Sequence, residues 1–279
     1  MSAREKKRSS GQRPVGFYVY CVAERKSLEP IFAEALPDAI ESDAALEMIT
    51  QDNLAAVASP VPLSEYGEKE LPAHLTDVTW TAIRAMRHER VAEHFARRAS
   101  IVPLRFGTIY LERERVEQML VERSAELMAI IERLRGREEW GLNLYFDRAK
   151  FLEKIVTFSP RLREMSREAE TASPGQAYLI RKKIESLRET EARVELKRVT
   201  AKIEQELGSA TLGVKRLRVL KDEATERGEL VAKFAMLIER KGFDEFHAAA
   251  ERLAGEFTDA GLQVELTGPW PAYNFAVSQ

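Results

Sequence analysis

The chain has 279 residues, of which 44% are hydrophobic and 32% charged, with a formal net charge of −2. That is the composition of a globular protein long enough for two domains, and it excludes disordered, collagen-like and strongly basic nucleic-acid-binding classes. One cysteine, Cys21, rules out an internal disulfide, and no apolar run approaches the roughly 18 residues that a membrane span needs.

Residues 1–14 are basic with no apolar stretch behind them, so they read as a disordered leader rather than a secretory signal. GFYVYCV (16–22) is a strand by its β-branched and aromatic content. A short helix is expected over Leu28–Leu36, closed by Pro37. Residues 45–59 read as two strands about a Gln51-Asp52-Asn53 turn, and a loop punctuated by Pro60, Pro62, Gly67 and Pro72 follows. A helix from about Asp77 to Arg98 carries the stripe Trp80, Ile83, Val91 and Phe95. Arg87 and His94 fall on that side and are expected to snorkel or to meet a carboxylate at its margin. His88 and His94, six apart, do not share a face as a zinc pair would, so no metal is implied.

SIVPLRFGTIY (100–110) is a strand interrupted at Pro103, which marks an edge or bulge. One helix is expected over 112–135, ended by Gly136, and EEWGLNLYFD (138–147) is the next strand. The order to this point is close to a ferredoxin-like split βαβ arrangement with an extra strand.

The second half opens with a helix over about 151–158. Ser173-Pro174 then starts a long charged helix to about Leu207, with Glu189 and Arg193 spaced for an ion pair. Its apolar stripe shifts between Val194 and Leu196, where a bend or a change of packing neighbour is expected. Strands 214–220 and 229–238, a helix from Asp244 closed by Gly261, and a strand over 262–266 complete a β-β-α-β layer. The expected class is therefore α+β with two domains. A leader (1–14) precedes a modified ferredoxin-like domain (15–147), a domain of one long helix and the β-β-α-β layer (148–267), and an aromatic tail (268–279).

Phosphate loop, dinucleotide fingerprint, nucleophile elbow and Cys/His ligand cluster are all missing from the sequence, and its four histidines are scattered. No catalytic, cofactor-binding or metal-ligating residue is assigned, and neither an enzyme nor a small-molecule site is expected. A ferredoxin-like sheet also carries RNA-recognition motifs, but Val15 and Tyr18 stand around Gly16 where that signature has a basic and a small residue. An enzyme or RNA-binding module on such a sheet is the distant alternative.

Four phrases in order carry a resemblance: GFYVYCV (16–22), VPLRFGT (102–108), EEWGLNLYFD (138–147) and GPWPAYNF (268–275). With the helix containing Arg87-His88-Glu89 between them, the chain resembles the GvpL/GvpF family of gas vesicle proteins over nearly everything after the leader. The resemblance implies a cytoplasmic, non-enzymatic accessory protein for building gas vesicles, which are hollow protein shells that give cells buoyancy. Its implied partners are the major shell protein, bound as a chaperone or nucleation factor, and other gas vesicle accessory proteins. Retention as a minor component of the mature shell is the alternative. The family-motif positions, structural or partner-binding, are Pro103, Leu104, Arg105, Phe106, Gly107, Trp140, Gly141, Gly268, Pro269, Trp270, Pro271, Tyr273, Asn274 and Phe275.

Two of these carry specific expectations. Arg105 stands among apolar and small residues, so its guanidinium is expected to anchor a carboxylate or backbone carbonyls. The tail is expected to fold back on its own protein across the junction of the two domains. Burying the rings of Trp270, Tyr273 and Phe275 and ordering that backbone are energies of similar size, so the three should seat together.

Overall fold

The computed structural model describes residues 14–219, 224–225 and 228–276. The leader, apart from Pro14, lies outside them. The chain divides into two compact units, one running to Arg135 and resuming at Pro271, the other spanning Gly136–Trp270. Each holds a five-stranded antiparallel sheet. Among the described residues no helix is long and apolar enough to cross a membrane.

The first unit begins with β1 (Val15–Glu24), α1 (Arg25–Leu28), β2 (Glu47–Gln51) and β3 (Leu54–Pro62). Next come α2 (Leu63–Tyr66), α3 (Leu71–His74) and α4 (Val78–Ala96), then β4 (Ile101–Pro103) and β5 (Ile109–Tyr110). Helices α5 (Arg113–Glu122) and α6 (Ser124–Leu134) end it. The sheet order is β2-β3-β1-β4, with β5 also on β1. Residues 18–23 of β1 are wholly buried, because β1 is paired on both sides and covered by helices. Asp77 caps α4, accepting from the amides of Thr79 and Trp80, and the helix buries His88, Val91, Ala92 and Phe95.

Several expectations for this unit are corrected. The helix over 28–36 is broken at Pro30 into α1 and a 3-10 turn at Ile31–Ala33, since proline cannot continue the ladder. Of the prolines expected in a loop, Pro72 lies in α3, while Pro60 and Pro62 lie inside β3. Strand β2 stops at Glu47 opposite Ala58, so these two face only β1 and no ladder bond is lost on the far side. The helix over 112–135 is two helices, because Arg123 leaves helical geometry (φ −105, ψ 13).

The second unit comprises β6 (Arg137–Phe146), α7 (Arg148–Phe158), α8 (Pro160–Thr171) and α9 (Pro174–Ser209). It continues with β7 (Gly213–Leu217), β8 (Ala224–Thr225), β9 (Gly228–Glu239), α10 (Phe243–Thr258) and β10 (Leu262–Trp270). The sheet order is β10-β6-β9-β7, with β8 on β9. Strand β6 is therefore central to this sheet, and the boundary between units falls before it rather than after residue 147. Both its neighbours, β9 and β10, come from the second half of the chain. Strand β10 runs on through Gly268 and Pro269 to Trp270, so the tail proper begins at Pro271.

Helix α9 is one helix through Val194–Leu196, with Ile184, Ala192, Val199, Ile203 and Leu207 in the unit's core and Val194 exposed. The expected ion pair within it is replaced: Glu189 meets Arg148 at 2.7 Å, and Arg193 donates to the Glu189 carbonyl at 3.3 Å. Helix α8, unforeseen, starts on Ser159-Pro160. The Ser159 hydroxyl caps it at the Leu162 amide (3.2 Å) and donates to buried Glu191 of α9 (2.9 Å).

Candidate functional site

The period-2 alternation of β1 puts Tyr18 and Tyr20 on one face, and the 3.6 period of α4 puts His88 on the stripe of Val91 and Phe95. A histidine thus enters the core of the first unit, boxed by the rings of Tyr18 (5.6 Å between centroids), Tyr20 (5.8 Å), Phe106 (5.8 Å) and Tyr273 (6.2 Å). Its hydrogen bonds have one direction that matches every donor to an acceptor. The Gly107 amide donates to the Tyr18 hydroxyl oxygen (3.0 Å), which frees the Tyr18 proton for His88 Nδ1 (2.9 Å). The ring proton then sits on Nε2 and is donated to the Tyr273 hydroxyl (3.0 Å), and Tyr273 donates to Glu89 Oε2 (3.2 Å).

Burial sets the electrostatics. It lowers the His88 pKa to about 4, outweighing a contact with the Leu104 backbone, so the imidazole is neutral at pH 7. Burial likewise raises Tyr18 and Tyr273, the latter also through the Glu89 charge, and it raises Glu89 above the ordinary carboxylate range. With both ring nitrogens engaged by phenols, His88 works as a keystone that joins β1, the loop after β4 and the tail.

The tail brings its own turns, Tyr273 N–H to the Pro271 carbonyl (2.7 Å) and Phe275 N–H to the Ala272 carbonyl (3.1 Å). Arg133 of α6 donates to the Phe275 carbonyl at 2.6 Å. Ala272, Phe275 and Ala276 are buried, and Tyr273 and Asn274 are half-buried. Trp270 does not seat with them: it is 41% exposed, pairs with Glu139 at the end of β10, and its indole N–H reaches Thr267 Oγ1 (3.1 Å).

The family-motif positions fall into two clusters. In the first unit, buried Pro103 faces Cys21 in the β1–β4 ladder, the Leu104 amide donates to the Tyr20 carbonyl (2.8 Å), and Phe106 and Gly107 (φ 83) complete the His88 box with Tyr273. Arg105 contradicts its expectation. It is exposed, and among the described residues no hydrogen bond or ion pair holds its guanidinium; only its backbone carbonyl is used, by Thr108. The loop turns its side chain outward while its neighbours close over the box.

In the second unit, Trp140 stacks on Phe243 (4.6 Å), and Gly141 lies against β10, where a Cβ would stand 2.5 Å from Thr267 Oγ1. Gly268 (φ 131) crosses Trp140, and a Cβ there would meet the Glu139 carbonyl and the Trp140 ring.

Residues outside the motif phrases also matter. Arg84 lies 3.9 Å over the Trp80 ring and donates to Glu41 (2.8 Å) and Tyr66 (2.8 Å), while Arg87 donates to the Ile40 carbonyl (2.9 Å). Sequence periodicity puts Arg87 and His94 on the apolar side of α4; the histidine buried on the stripe of Val91 and Phe95 is His88, and Arg87 meets a backbone carbonyl rather than a carboxylate. Among the described residues no group of His, Cys, Asp and Glu could hold a metal ion.

Comparison with known proteins places this architecture. The family model described as gas vesicle synthesis protein GvpL/GvpF matches residues 16–277. The chain is 27% identical to gas vesicle protein L of Streptomyces sp. (strain CB03234) over 233 residues, 82% of each chain. It is 24% identical to gas vesicle protein L1 of Halobacterium salinarum (strain ATCC 700922 / JCM 11081 / NRC-1), covering 94% of this chain and 90% of that one. The crystal structure of the gas vesicle protein GvpF from Anabaena sp. PCC7120 superposes with a TM-score of 0.65 at 18% identity, over 95% of this chain and 97% of that one.

Proposed function

This chain belongs to the gas vesicle synthesis protein GvpL/GvpF family, and from that premise we propose that it is a non-enzymatic accessory factor that binds the major shell protein as a chaperone or nucleation factor. Membership itself gives it a role in gas vesicle biogenesis; the match over residues 16–277 is the observation that carries the reading. The physical need is plain. A shell that excludes water from a gas space is built from an apolar subunit, and such a subunit aggregates before assembly unless its apolar surface or strand edges are covered.

Two features of this chain support that role. Leu75, just before α4, and Val78, Ile83 and Met86 in its N-terminal half are exposed, Val78 to 81% and Met86 to 56%, which leaves apolar side chains open to a partner. Among the described residues, strands β2 and β10 end their sheets with one side unpaired by another strand. The order β2-β3-β1-β4, with helical turns after β1 and α4 after β3, supports a modified ferredoxin-like reading of the first unit, β5 being the addition.

A clean deletion tests the function. Vesicles are expected to be lost or malformed with no metabolic turnover affected, and normal buoyant vesicles in the absence of a paralogue would refute it. Washing purified vesicles with urea separates the chaperone, which leaves, from a shell component, which stays.

A further inference from the structure

We propose that the first turns of α9, with the end of α8, form a docking surface for a short acidic segment of a partner protein, one that carries an apolar side chain among its carboxylates. The inference stands on this surface alone and does not depend on the shell-protein reading. From Thr171 to Ile184 the chain holds three cations, Arg181, Lys182 and Lys183, and no acidic residue. Charged helix faces commonly pair with themselves at three- or four-residue spacing. Further along, α9 does so: Arg188 pairs with Glu185 (3.4 Å), Arg198 with Glu195 (2.8 Å) and Lys202 with Glu206 (3.6 Å). In its first turns the residues four before Lys182 and Lys183 are instead Tyr178 and Leu179. Among the described residues the side chains of Arg181, Lys182 and Lys183 make no ion pair or hydrogen bond.

The surface is unfilled. Tyr178 is 60% and Leu179 67% exposed, on the side of α9 away from buried Ala177 and Ile184. The Lys182 ammonium lies 6.0 Å from the centroid of the Tyr178 ring, and Lys183 follows Leu179 by one turn, so each apolar side chain has a cation next to it on the helix face. Between the end of α8 and the start of α9 lies a shallow depression of about 450 Å³, with Ala172, Leu179 and Ile180 in its wall. It has room for an apolar side chain. Glu168 in the same wall repels carboxylates from the depression and leaves Lys182 and Lys183 as their place. Charge complementarity therefore sets the chemistry of the occupant. A nucleic-acid strand fits less well, because its continuous charge would run onto exposed Glu168, Glu170 and Glu185. A membrane surface asks for a longer apolar face than two side chains supply.

Selection of short random peptides displayed on phage tests the proposal, with the full-length protein as bait after depletion on a Lys182→Glu, Lys183→Glu variant. The enriched peptides are expected to carry net negative charge around at least one leucine or aromatic residue. Synthesised and labelled, they are expected to bind wild type at least about fivefold more tightly than either the charge-reversed variant or Leu179→Ser, and to weaken as salt rises. Each variant qualifies by circular dichroism equal to wild type. Should charge reversal disturb the helix, Lys182→Gln with Lys183→Gln takes its place under the same criterion. No enrichment, enrichment of neutral or basic peptides, or a smaller difference in affinity overturns the proposal. So does binding of phosphatidylserine vesicles or of a single-stranded oligonucleotide that is lost in the same variants, since that would give the surface to a membrane or a nucleic acid.

Discussion

Nε2 of His88 lies 3.0 Å from the hydroxyl of Tyr273, 185 residues further along the chain. That bond fixes the tail to α4 and sets the tautomer of the ring, since Nδ1 is occupied by the Tyr18 hydroxyl.

Removing the hydroxyl alone should therefore be felt. Tyr273→Phe leaves the His88 N–H unpartnered and is expected to cost about 1–3 kcal/mol in urea unfolding, with limited proteolysis appearing first in the tail. Unchanged stability would show that the buried His88 N–H does not depend on this phenol and would contradict the assignment.

The depressed His88 pKa predicts a pH dependence. Between its folded value of about 4 and its ordinary 6.5, the unfolded chain holds a proton that the folded ring does not. Stability from this site is thus complete above pH 6.5 and falls as pH drops toward 4, by an amount on the order of 3 kcal/mol if the site acts alone. His94, also lowered by burial, adds to that slope. Glu89, raised by burial, opposes it just above its ordinary value of 4.5. The slope of wild type minus that of His88→Phe, measured from pH 4 to 6.5, isolates the histidine; identical slopes would contradict the assignment.

Two arginines should separate cleanly. Arg105→Met changes an exposed side chain and is expected to shift stability by no more than about 0.5 kcal/mol. Arg84→Met strips Glu41 and Tyr66 of their cation and uncovers Trp80, for a loss of about 1.5–3 kcal/mol. Thermal melts of the pair decide the ranking.

In the second unit, Gly141→Ala would press a methyl onto Thr267 Oγ1 and should lower the melting temperature. Adding Thr267→Ala removes the clashing oxygen and should recover part of the loss, a coupling read from a double-mutant cycle. Additive effects would show that the two residues do not meet.

Much of the fold was legible because its signals are local. The turn at Asp52 (φ 50), the Asp77 cap and the Gly261 stop (φ 78) all sit where propensity puts them. Helix α8 carried the same Ser-Pro start as α9 but had a weaker apolar stripe, with Leu162 and Ala169 its buried residues. The strand at 137–146 could be read, but its sheet could not, because its partners β9 and β10 lie far downstream. The aromatic composition of the tail announced docking on the chain itself. What it docks on required His88, Glu89 and Arg133 to be gathered from two helices, a juxtaposition no sequence period encodes. Arg105 misled for the opposite reason: apolar neighbours in sequence do not bury a residue at a loop's outer turn.

The proposed function has this chain meet the shell subunit directly before assembly. Co-expression with the major shell protein, followed by affinity capture of this chain from the soluble fraction, tests it most directly. The shell protein is expected to be retained and to stay soluble only when this chain is present. A shell protein that passes through the column and aggregates to the same extent with or without this chain would contradict it.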